Sequence, residues 1–129
     1  MVWIDLVTLL AVLEFFAFIV LVGRAREKYG IKAPAISGNT EFERYFRVQQ
    51  NTLETLIMFL PALWIAAHYF NPLWTALIGA IYLLGRILYF QAYVRDPATR
   101  TVGYLVSIAP VAVLIVMGLI GIVRAIVTG

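Results

Sequence analysis

Four apolar stretches of about 20 residues or more divide this chain, the length an α-helix needs to cross the hydrocarbon of a bilayer. The first runs from Trp3 to about Gly23, broken only by Asp5 and Glu14. The second starts as a polar helix, Glu41-Phe42-Glu43-Arg44-Tyr45-Phe46-Arg47, and turns apolar from Leu53 to about Phe70. Asn71-Pro72 then makes a tight turn, with Pro72 suited to the first helical position. The third stretch ends near Tyr93, before Asp96-Pro97, and the fourth runs from about Val102 to Val127. These lengths predict an all-α membrane protein: a single four-helix bundle over residues 1–129, with spans of about 3–23, 44–70, 73–94 and 102–127. Pro61 and Pro110 fall inside the second and fourth spans and are expected to kink them, which neighbouring helices make tolerable in a bilayer. Between the first two spans a loop of roughly 15–18 residues is expected around Ile31–Thr40.

Composition leaves little alternative. The chain is 63% hydrophobic and 13% charged, against about 45–50% and about 25% for soluble domains. A water-soluble fold of 129 residues could not hide that much apolar sequence. An ordinary globular domain, a disordered tail and a free nucleic-acid-binding module are thereby excluded. The absence of cysteine removes disulfides, thiolate metal sites and cysteine nucleophiles. With one histidine, no metal site is expected. The first stretch lacks the basic start and small-residue cleavage site of a signal peptide, so it reads as a retained helix.

The basic residues set an orientation. Arg24, Arg26, Lys28, Lys32, Arg44, Arg47, Arg95 and Arg100, eight of the ten, flank the first-to-second and third-to-fourth connections, which lie on one side of a four-span bundle. That side is expected to face the cytoplasm, with both termini outside. Small residues four apart, Ala76/Ala80 and Gly121/Ala125, are candidate close-packing positions between helices.

Polar groups inside spans are costly and therefore informative. Arg47, Asn51 and Glu54 sit at i, i+4 and i+7, on one helical face. Tyr82, Arg86, Tyr89 and Tyr93 share a face of the third span by the same arithmetic, and Arg100 follows in the next turn. Arg86 and Glu14 are expected to be inward-facing structural groups with partners, Arg86 with a carboxylate such as Glu54. Trp3, Trp64 and Trp74 read as interfacial or packing residues, and His68 has no assigned role. Pairing does not account for the rest, because Arg47 and Arg100 outnumber the single carboxylate of the cluster. Guanidinium forks match carboxylates, Glu54 suits an ammonium, and Asn51, Tyr89 and Tyr93 add neutral hydrogen-bonding groups. The implied ligand is small, zwitterionic and net negative, entering from the cytoplasmic side next to a lipid-facing wall.

Two long motifs carry a resemblance. Val22-Gly23-Arg24-Ala25-Arg26-Glu27-Lys28-Tyr29, with Pro34, Glu41 through Asn51 and Glu54, resembles the family of membrane-associated proteins in eicosanoid and glutathione metabolism (MAPEG). Gly85-Arg86-Ile87-Leu88-Tyr89-Phe90-Gln91-Ala92-Tyr93, followed by Arg95 and Arg100, is similar to the same branch, that of type 2 microsomal glutathione transferases and leukotriene C4 synthases. The resemblance covers about residues 22–107. It implies a homotrimer that binds glutathione as co-substrate between subunits near the cytoplasmic face. Arg47, Asn51, Glu54, Tyr89 and Tyr93 match glutathione-binding positions, Arg26 and Gln49 match positions supplied by the adjacent subunit, and Arg100 matches the arginine that stabilises the thiolate. Thr55 stands where the eicosanoid enzymes carry a tyrosine. Ile57 matches their proline, with Pro61 one turn later, and Glu27 replaces an arginine tied to leukotriene synthesis.

The expected activity is glutathione transfer to apolar electrophiles from the bilayer, with reduction of lipid hydroperoxides as a companion activity. The short ends point to a bacterial inner membrane. A non-catalytic lipid-presenting protein, a glutathione-dependent isomerase and a channel or transporter subunit are the alternatives.

Overall fold

A computed structural model describes all of residues 1–129. Four helices, α1 (Val2–Tyr29), α2 (Thr40–Tyr69), α3 (Pro72–Arg95) and α4 (Thr101–Thr128), run up and down, with a single 3₁₀ turn at Pro97–Thr99 before α4. All four are long and apolar enough to cross a membrane. The first connection is shorter than the sequence implies, because α1 continues through its basic end to Tyr29. It stops where Gly30 takes a left-handed conformation, φ 70°, that glycine adopts without a Cβ penalty.

Local chemistry sets the remaining helix ends. The Asn39 side chain accepts a hydrogen bond from the Phe42 amide at 2.9 Å and starts α2. Asn71 accepts from the amide of Leu73 at 2.9 Å while Pro72 occupies the first turn of α3. Asp96 accepts from Ala98 N–H at 3.1 Å and shapes the turn into α4. Arg44 of α2 reaches across to the C-terminal end of α3, donating to the carbonyls of Val94 and Arg95 at 3.2 Å each. There its charge complements the helix dipole, and it joins the two connections at one end of the bundle. Pro61 and Pro110 both lie inside unbroken helices.

The bundle interior is small and the outside is apolar. Ile4, Val7 and Ala11 of α1, Phe59, Leu63 and Ala66 of α2, Ala76 and Tyr82 of α3, and Val111 and Leu114 of α4 form the main core. Outward-facing Leu9, Ile57, Ile126 and Val127 are each more than 60% exposed. Without lipid around them such residues would drive aggregation.

The closest backbone approach at a glycine lies between α3 and α4, at two glycines the small-residue pattern did not single out. A Cβ on Gly85 would stand 2.5 Å from the Ser107 nitrogen, and one on Gly103 would stand 2.5 Å from the Tyr89 nitrogen. The two contacts are reciprocal and one turn apart: each helix gives a glycine and receives the other's backbone. Close approach at small residues is how membrane helices gain packing energy without a hydrophobic drive. Of the pairs expected from sequence, Ala76 is buried and Gly121 meets the Tyr69 side chain, while Ala125 is exposed. Gly103→Val should destabilise the detergent-solubilised protein by about 3 kcal/mol or more, since the obstruction is backbone. Gly23→Ala, with nothing within 4 Å of the new methyl, should be neutral or stabilise by up to about 1 kcal/mol. Thermal unfolding of the two variants checks this contrast.

Candidate functional site

The 3.6-residue period of α2 lines up Arg47, Gln50, Asn51 and Glu54 on one edge. Tyr89 and Tyr93 of α3 stand opposite, and Arg100 closes the end where the chain turns into α4. Together these seven residues line one polar cavity of about 350 Å³. It lies at the connection-bearing end of the bundle, where Arg100 also donates to the Pro97 carbonyl at 2.8 Å. Two guanidiniums face one carboxylate here, so the cavity carries net positive charge and suits a ligand with more anionic than cationic groups.

Six residues expected from the sequence therefore meet: Arg47, Asn51, Glu54, Tyr89, Tyr93 and Arg100. Arg26 and Gln49 do not join them. Gln49 is two residues from both Arg47 and Asn51, about 200° around the helix, and must face away from their cavity. Arg26 is turned onto its own loop, donating to the Ala35 carbonyl and lying 5.0 Å from the Phe42 ring. Gln50 is the cavity residue the sequence reading missed, although its i+3 relation to Arg47 places it on the same face.

Arg86 differs from expectation in its partners. It is fully buried, yet its hydrogen bonds go to neutral oxygens and not to Glu54. One terminal nitrogen donates to Asn51 Oδ1 at 2.7 Å and to Thr52 Oγ1 at 3.3 Å, and the other donates to Ser107 Oγ at 2.7 Å. The guanidinium carbon lies 4.4 Å from the Tyr89 ring centre, a cation–π contact. Glu54 is exposed in the cavity, on the far side of Asn51 from this network. The reason is geometric: the Gly85–Ser107 contact brings the α4 hydroxyl to Arg86, and the α2 face next to Arg86 carries Asn51 and Thr52.

Two further polar groups depart from the cavity. Tyr82 shares the stripe of Arg86 and Tyr89 but points into the core, stacked 4.0 Å from Phe59 and hydrogen-bonded to Thr55 Oγ1 at 2.9 Å. Thr55 is thus a buried partner of Tyr82. Glu14 faces inward as expected, in an apolar groove with Leu10, Phe18, Leu83 and Ile87, but its Oε1 is buried without a hydrogen-bond partner.

The chain also has extensive relatives. The profile of the MAPEG family matches residues 4–120. An uncharacterized protein of Synechocystis is 45% identical over 120 residues, covering 93% of this chain and 88% of that one. Human microsomal glutathione S-transferase 2 is 38% identical over 119 residues, covering 92% of this chain and 81% of the enzyme. Mouse leukotriene C4 synthase is 37% identical over 115 residues, with 89% and 77% covered. A profile that takes in four apolar helices and the polar cavity alike, with relatives matched over most of their own length, places this chain in the MAPEG family.

Proposed function

We propose that this protein is a membrane-bound glutathione transferase whose cavity between α2, α3 and the start of α4 holds glutathione. The observation that carries this is the charge pattern of the cavity: Arg47 and Arg100 against Glu54, with amides and two tyrosines between them. Glutathione offers two carboxylates, one ammonium and a thiol. Arg47 suits a carboxylate, Glu54 suits the ammonium, and Asn51, Gln50, Tyr89 and Tyr93 suit the peptide groups. The similarity to microsomal glutathione S-transferase 2 and leukotriene C4 synthase supports the same assignment.

Arg100 is assigned to the sulfur. A free thiol has a pKa of about 8.5, and only the thiolate is a strong nucleophile. A guanidinium beside the sulfur favours the charged form, each unit of depression being about 1.4 kcal/mol. The proton leaves to water, and the thiolate attacks an electrophilic carbon. A C–S bond forms as the leaving group departs with its electron pair. With a lipid hydroperoxide the thiolate attacks the terminal oxygen, the O–O bond breaks and the alkoxide takes a proton to leave as the alcohol. A second glutathione thiol then attacks the resulting sulfenic acid, giving the disulfide and water. The apolar co-substrate arrives laterally from the bilayer, consistent with detoxification of membrane-dissolved electrophiles.

Assembly as a homotrimer is part of this proposal. Gln49 faces away from its own cavity, so it can serve a glutathione only at a neighbouring subunit's site. Arg26 would do so on exchanging its bond to the Ala35 carbonyl. The basic end is placed in the cytoplasm, with both termini outside, and the membrane is taken as a bacterial inner membrane.

Addition of glutathione to the purified protein should produce thiolate absorbance in the ultraviolet, and Arg100→Ala should abolish it while glutathione still binds. An unchanged signal removes Arg100 from this role. Titration calorimetry separates the reading from a lipid-presenting protein: heat on adding glutathione is expected, and its absence would favour lipid presentation. Because the chain has no cysteine, single-cysteine labelling reports topology directly. Ser37→Cys should react from the cytoplasmic side only, and Thr128→Cys from the outside only.

A further inference from the structure

Arg86 lines no part of the cavity, but one of its bonds determines what the cavity presents. A guanidinium has donors and no acceptor. The Asn51 atom that meets it at 2.7 Å must therefore be the amide oxygen. That leaves the Asn51 NH2 group as the end available to the cavity that Asn51 lines.

The surroundings hold this arrangement in place. Ser107 Oγ lies 2.9 Å from the carbonyls of Gly103 and Tyr104, to which it donates its own proton. Thr52 donates its proton to the Val48 carbonyl at 2.7 Å. Both hydroxyls are thereby left as acceptors toward Arg86, as back-bonded helix hydroxyls are. Arg86 is fixed from a second side by the Tyr89 ring at 4.4 Å. Rotating the Asn51 amide by 180° would set two donors face to face, leaving the Asn51 NH2 facing a buried cation and that Arg86 nitrogen with only the longer bond to Thr52 at 3.3 Å.

We infer that Arg86 is a positioning residue that locks the polarity of Asn51, so that the cavity offers an N–H donor there and selects an acceptor group of the ligand. Resting on the glutathione reading, this deepens it. Asn51 binds a carboxylate or peptide carbonyl oxygen of the tripeptide, and recognition of the ammonium falls to Glu54, one turn further along α2. The cavity thus has a directional order of groups and not only a net charge, and the order is set from outside the cavity by a residue that does not contact the ligand.

Asn51→Asp tests this with little change of shape. The carboxylate accepts from Arg86 at least as well as the amide did, so the thermal midpoint should equal or exceed that of wild type. Asn51→Ala, which leaves Arg86 short of an acceptor, should melt below both. Toward the cavity, however, the donor has become an acceptor. Calorimetric titration with reduced glutathione should show affinity at least tenfold weaker for Asn51→Asp than for wild type. If Asn51 instead used its oxygen to hold the ammonium, Asn51→Asp would bind equally well or more tightly, which overturns the inference. A midpoint for Asn51→Asp below that of Asn51→Ala overturns it too.

A double-mutant cycle tests whether Arg86 works through Asn51. Arg86→Gln, whose amide can pair with either end of Asn51, should raise KM for glutathione several-fold with a smaller effect on kcat, and Arg86→Lys should restore part of the loss. In the Asn51→Ala background the same change should alter the glutathione Kd less than twofold. Fully additive losses would show that Arg86 acts only on the fold. A wild-type protein that gives no heat with glutathione overturns the functional reading and this inference together. Wild-type binding with an unaffected Asn51→Asp overturns the inference alone.

Discussion

The buried guanidinium of Arg86 is the interaction on which the connection-bearing half of this bundle depends. It joins three helices through Asn51 and Thr52 of α2, Ser107 of α4 and its own α3. No carboxylate hydrogen-bonds to it, and its direct partners are neutral dipoles and a tyrosine face. Such an arrangement requires the acceptors to be held close and correctly turned. The reciprocal glycine contacts supply the closeness, since Gly85 admits the Ser107 backbone and Gly103 admits that of Tyr89. Back-bonding of Ser107 and Thr52 to their own helices supplies the direction.

The polar cavity is built on the outer edge of that network. Tyr89 belongs to both: its backbone packs on Gly103, its ring covers Arg86, and it lines the cavity with Tyr93 and Arg100. Asn51 likewise has one end in the network and the other in the cavity. A ligand bound there meets groups whose orientations are set before it arrives, which lowers the ordering cost of binding. Along the spans the exterior is apolar, aliphatic for the most part with aromatic side chains such as Phe16 and Trp74 among them. The protein therefore presents a polar, net positive cavity at one end and apolar flanks to lipid, the combination the proposed conjugation of apolar electrophiles requires.

Much of this architecture was legible in the chain because bilayers impose simple rules. Span length and backbone saturation make four apolar stretches into four helices, and Asn71-Pro72 and Asp96-Pro97 mark two of the turns. The 3.6-residue period brought Arg47, Asn51 and Glu54 to one face and Tyr89 and Tyr93 to another, and these faces meet. Helical spacing could not choose partners between helices, however. It suggested Glu54 for Arg86 because a buried cation ordinarily takes an anion, and Tyr82 for the same polar stripe as Tyr89. In the folded chain the α2 oxygens nearest Arg86 are those of Asn51 and Thr52, and Tyr82 belongs to the core with Phe59 and Thr55.

What the sequence by itself determined is the class of structure and the inventory of charge: four membrane helices, basic groups gathered at one end, and more guanidinium than carboxylate among the polar residues within them. Those follow from local properties, hydropathy and periodicity, that each segment carries alone. Only the tertiary structure decided that the two terminal nitrogens of Arg86 bond to neutral oxygens while its Nε is left without a partner, that Gly85 and Gly103 set the α3–α4 register, and that Asn51 turns its donor toward the cavity. These are matters of a few tenths of an ångström and of donor direction between helices, and they exist only when the helices are packed.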